Sequence, residues 1–112
     1  MDRTAYLTTI HQHLKTAYLL SDEKAAAMIP VFVTTLRAHI DRLAELAASG
    51  DQHQLNRASH AVKGALLNMG LSDLAETTHT LEKQCQAGAP PVEYQALITQ
   101  LQATVALLGE DR

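Results

Sequence analysis

Apolar residues recur along this chain at intervals of three and four, and no stretch alternates as a half-buried strand does. The pattern predicts five helices. The first, about 3–18, sets Leu7, Ile10, Leu14 and Tyr18 on one face. Ser21 can cap the second, with Asp22 and Glu23 in a first turn whose dipole favours negative charge. That segment reaches about Ala48 and carries Met28, Val31, Phe32, Leu36, Ile40, Leu43 and Leu46. Pro30 lies inside it, and either kinks the helix or opens a fresh one.

Gly50 suits the end of that helix and Asp51 the N-cap of the next. The third helix runs from about Gln52 to Met69, where Gly70 breaks it. Ser72 is the expected cap of a fourth helix over about 73–86, with Leu71, Leu74, Thr78, Leu81 and Cys85 facing inward. Gly88 ends that helix. Pro90 or Pro91 opens the fifth, whose stripe is Leu97, Ile98, Leu101, Val105 and Leu108. Short loops make neighbouring helices antiparallel. The expected fold is therefore all-α: an up-down four-helix bundle of the last four helices, with the N-terminal helix as a cap. Residues 1–112 read as one domain, without internal repeats.

Composition narrows the function. A chain of 112 residues can bury a real core. Its net charge of −3 is too mild to predict nucleic-acid or membrane binding. No apolar leader and no run of 18 apolar residues is present. The single cysteine, Cys85, excludes a disulfide within the chain and fits a reducing cytosol. The expectation is a whole small cytoplasmic protein.

Candidate chemistry concentrates in the third helix. At about 100° per residue, Leu55, Ala58, Ser59, Val62, Leu66 and Met69 gather on one side. His60, Gly64 and Leu67 fall opposite, with Lys63 and Asn56 toward one flank. His60 is thus predicted to be exposed. A glycine on an exposed helix face costs about 1 kcal/mol relative to alanine. What it permits is close approach of another body to the backbone. A histidine, a missing side chain and an exposed leucine on one face suggest a docking site for a protein, with Asn56 and Leu67 at its edge.

An exposed imidazole is a nucleophile near neutral pH. Lys63, at i+3, reaches the same region, and its ammonium suits phosphoryl oxygens. Phosphoryl transfer needs mainly positioning and charge stabilisation. No Walker A run or kinase-type glycine loop is present, so the phosphoryl group must arrive on a partner.

The stretch SHAVKGALLNMGLSDLAETTHTLEKQC resembles the signature of histidine-containing phosphotransfer (HPt) domains. That motif is His-x-x-Lys-Gly with a second glycine ten residues after the histidine. His60, Lys63, Gly64 and Gly70 match it in place. The segment VFVTTLRAHIDRLAELAASGDQHQLNRASH resembles the family's approach to the histidine. The resemblance implies a carrier without kinase activity of its own, relaying phosphoryl groups between receiver-domain aspartates. It implies that His60 is phosphorylated on Nε2, that Lys63 helps balance the phosphoryl charge and that Gly64 admits the receiver's loops. It also implies that Glu82 bonds the other ring nitrogen. No cofactor is expected in this chain, since Mg²⁺ would belong to the receiver. The expected partners are receiver domains of a hybrid sensor kinase or a response regulator, and the chain is expected to be a monomer.

A phosphate-independent helical docking module is the alternative. Glu76 and His79 form one Glu-x-x-His pair, where a di-iron bundle needs two, and both are read as facing outward. His11 and His13 are two apart and cannot share a helix face. Cys85 reads as a small core residue.

Overall fold

The structure, a computed structural model, describes residues 2–109, with Pro91 described by its backbone alone. The ends of the expected 1–112 domain, residue 1 and residues 110–112, lie outside the described residues. Among the described residues there are five helices and no strands: α1 Arg3–Tyr18, α2 Asp22–Ser49, α3 Gln52–Asn68, α4 Ser72–Gln86 and α5 Pro91–Leu108.

Local chemistry sets most of these limits. Asp2, which the hydrophobic pattern does not reveal, caps α1 by accepting from the Ala5 amide at 2.8 Å. Ser21 caps α2 through the Lys24 amide at 3.2 Å, and Asp51 caps α3 through Gln54 at 3.0 Å. Pro30 does not open a new helix, because α2 runs through it for 28 residues. Pro30 and Ala26 are both exposed, so the carbonyl that loses its donor faces water.

Gly70 closes α3 in the left-handed conformation, φ +78°. The Leu71 amide donates to Leu66 and the Gly70 amide to Leu67, which together form a Schellman turn. This turn corrects one expectation. Ser72 is not the cap of α4 but its first helical residue. Leu71 holds the N-cap position and makes no side-chain capping bond, its side chain being buried. Gly88, φ +74°, closes α4 in the same way, and α5 begins at Pro91.

The core follows the predicted stripes on α3 and α4 residue by residue, except that Ala58 is only half-buried. On α5 it adds Tyr94, fully buried, to the expected Ile98, Leu101, Val105 and Leu108, while Leu97 is half-buried. On α1 and α2 the expected Leu7, Met28 and Phe32 are half-buried, and Val31, Val33 and Tyr18 depart from the expected pattern. Val31 is exposed and Val33 buried, because Val33 continues the i, i+3, i+4 row of Leu36, Ile40, Leu43 and Ala47. Tyr18, the last residue of α1, is exposed, and the chain turns in the left-handed conformation at Leu19 just after it. Helix α3 packs most extensively on α4 and also on α2. Helix α5 packs on α2 and α4, and α1 lies against α2 and, more lightly, α5. No helix among the described residues is long and apolar enough to cross a membrane.

Candidate functional site

Helix α3 buries Leu55, Ser59, Val62 and Leu66, which turns His60 outward. The His60 side chain is 70% exposed. Its ring is nonetheless fixed: Nδ1 lies 3.0 Å from Oε2 of Glu82 on α4. Lys63, one turn along α3, brings Nζ to 2.9 Å from the other oxygen of the same carboxylate. Glu82 is itself buried, with 8% of its surface exposed. It therefore serves as an anionic hub beneath the exposed imidazole.

Burial by itself pushes the Glu82 carboxyl up. Hydrogen bonds from Lys63 and His60, together with their charge, outweigh that effect and hold it below its ordinary value. An ionised carboxylate only accepts hydrogen bonds. His60 Nδ1 must then carry the proton and donate it to Glu82. The lone pair of the neutral ring is left on Nε2, which faces away from α4.

The structure thus brings His60, Lys63 and Glu82 together. Gly64 and Leu67 share their face. A Cβ added at Gly64 would meet nothing within 4 Å, and its backbone is ordinary helix. No contact among the described residues requires a glycine there. Leu67 is 49% exposed. Asn56 is half-buried and lines an open depression with Arg57, His60, Ala61 and Glu82. Gly70 plays a different part and stays off this face. A Cβ there would stand 2.6 Å from Cβ of His13, so the turn after α3 is pressed against α1.

One member was not expected from the sequence. His79, read as facing outward, has its side chain 42% exposed, and its Nδ1 stands 3.5 Å from both Lys63 Nζ and Glu82 Oε1. The signal available was its i, i+3 spacing to Glu82, which puts both on one face of α4. Glu76 is exposed and stays apart. Neither His11 nor His13 joins the site. His11 Nε2 lies 3.1 Å from the Asp22 carbonyl oxygen, next to a 2.7 Å Lys15–Asp22 ion pair that ties α1 to α2. Cys85 is buried, and that burial, with the nearby Glu82 charge, raises its thiol above the ordinary range.

An all-helical chain that holds a solvent-facing imidazole over a buried carboxylate has the build of a histidine-based carrier. A family model, the Hpt domain, matches residues 27–111, which is most of the chain. The chain belongs to the Hpt domain family. Hpt domains transfer phosphoryl groups through histidine in phosphorelays, and they meet receiver domains of kinases and response regulators. They are carriers rather than catalytic enzymes in general. No curated protein and no solved structure matches the chain.

Proposed function

We propose that His60 accepts a phosphoryl group on Nε2 from a receiver-domain phospho-aspartate and passes it to the aspartate of a second receiver. The observation that carries this reading is the ring itself: Nδ1 is bonded to Glu82 at 3.0 Å while the side chain is 70% exposed. In the transfer, the Nε2 lone pair forms the bond to phosphorus as the phosphorus–oxygen bond of the acyl phosphate breaks. The electron pair of that bond leaves with the aspartate carboxylate. The Nδ1 proton stays in place. The ring gains a positive charge, and the ionised Glu82 beside Nδ1 stabilises it.

Lys63 keeps Glu82 ionised and oriented, and contributes positive charge one turn from the acceptor. Gly64 leaves the backbone open to the receiver, and Asn56 and Leu67 border the docking face. We read residues 1–112 as one cytoplasmic, monomeric domain, in which α2–α5 form an antiparallel up-down bundle capped by α1. No metal or cofactor is assigned to this chain. The Mg²⁺ of the reaction belongs to the receiver, and neither nucleic acid nor membrane is a partner.

The test is to incubate the protein with a receiver carrying labelled phospho-aspartate. The expected product is an acid-labile, alkali-stable phosphohistidine that is absent from His60→Gln. Label persisting in that variant would overturn the assignment. Unlabelled wild type that still binds the receiver would instead make the chain a docking module.

A further inference from the structure

The positive charge at this site is unevenly shared. Lys63 is held by Glu82 at 2.9 Å and is only 22% exposed, so its ammonium sits on the Nδ1 side of the ring. On a helix of about 100° per residue, Lys63 falls about 60° to one side of His60 and Arg57 about 60° to the other. Gly64 lies on the Arg57 side, at about 40°. Helical side chains lean toward the N-terminus, so the imidazole lies over the turn that carries Arg57. Arg57 and His60 line the same depression.

Arg57 is exposed. Among the described residues, no carboxylate lies within 4.0 Å of it. Helix α3 itself contains no Asp or Glu. Arg57 also borders a second depression, toward α2, together with His39 and Arg42. The side of His60 opposite Glu82 is therefore cationic, and the cation one turn from the ring is uncommitted.

Building on the reading of His60 as the acceptor, we propose that Arg57 is a further catalytic residue, whose guanidinium meets the phosphoryl oxygens as the group moves onto Nε2. The phosphoryl oxygens keep their negative charge throughout the transfer. A planar guanidinium can bind two of them at once. Lys63 is a point charge already bonded to Glu82 on the opposite flank of the ring, and it lacks that two-pronged geometry.

The experiment uses phosphoramidate, a small phosphoryl donor that needs no protein partner, on the full chain. Phosphorus NMR then follows labelling of His60 and the pH titration of the attached group. A guanidinium against the phosphoryl oxygens favours the dianion. In Arg57→Ala the phosphoryl group should titrate about half a pH unit or more above wild type. Labelling should slow about fivefold, and Arg57→Lys should recover part of both effects. Arg42→Ala, in the adjoining depression, should leave both unchanged. An unchanged phosphoryl titration in Arg57→Ala overturns the proposal, even if transfer from a receiver slows, because Arg57 would then touch only the partner. Equal effects in Arg42→Ala overturn it too, since they would reflect a general field. A wild type that takes no label at His60 brings down the acceptor reading and this proposal together, whereas the first two outcomes leave the acceptor reading standing.

Discussion

At the scale of single residues, Glu82 ties the site together. A carboxylate this well buried persists because Lys63 and His60 both donate to it. Replacing it by glutamine keeps the shape but removes the charge. We expect Glu82→Gln to lower stability by about 1–2 kcal/mol at pH 7, toward the modest end because His60 and Lys63 can turn to water. The folded value of the Glu82 carboxyl lies below its ordinary 4.5. Its stabilisation is therefore complete above that pH and is lost as pH falls through the folded value. Urea unfolding of both proteins across a pH series should show the gap between them closing on the acid side of 4.5. The sequence discloses that His60 faces water, since its own helix has a clear buried side. It does not disclose that Glu82 is buried or that His79 joins it. Both lie beside the α4 stripe, on a flank that becomes interior only when α3 covers it.

Helix by helix, two glycines of the same motif serve opposite ends. Gly64 is in helical conformation with open space around it, so Gly64→Ala should raise stability by about 0.5–1 kcal/mol. Gly64→Gln should also fold, yet transfer from a receiver should slow. Gly70 has φ +78° and His13 against it. Gly70→Ala should therefore cost at least about 1–2 kcal/mol. Thermal melts followed by circular dichroism would separate the two, and melts shifting in the same direction would contradict this division. The break at Gly70 is legible because glycine ends helices. The contact with His13 is not, since no pattern within α3 says what lies across from its final turn. The displaced start of α4 has the same origin: Ser72 is a sound cap by residue type, but the tight turn at Gly70 begins the helix a residue sooner.

Across the whole molecule, α1 is the element that the family comparison leaves out. The match begins at residue 27, after α1 has ended. Yet Ile10 and Leu14 are wholly buried and belong to the common core. Leu14→Ala should cost about 2–5 kcal/mol while unfolding remains a single cooperative transition. Two separate transitions in denaturant would show instead that α1 is an appendage. The five helices are legible in the sequence because glycine, proline and capping side chains mark nearly every boundary. The neighbours of each helix are not, because a stripe says that a face is covered and not by what.

The seat of His13 on Gly70 has a dynamic consequence. Helix α3 is clamped at its far end like a beam, and rolling about its long axis would prise α1 off the turn. For the transfer proposed above, the imidazole is thereby aimed before the encounter, and less orientational entropy is left to lose when two proteins collide.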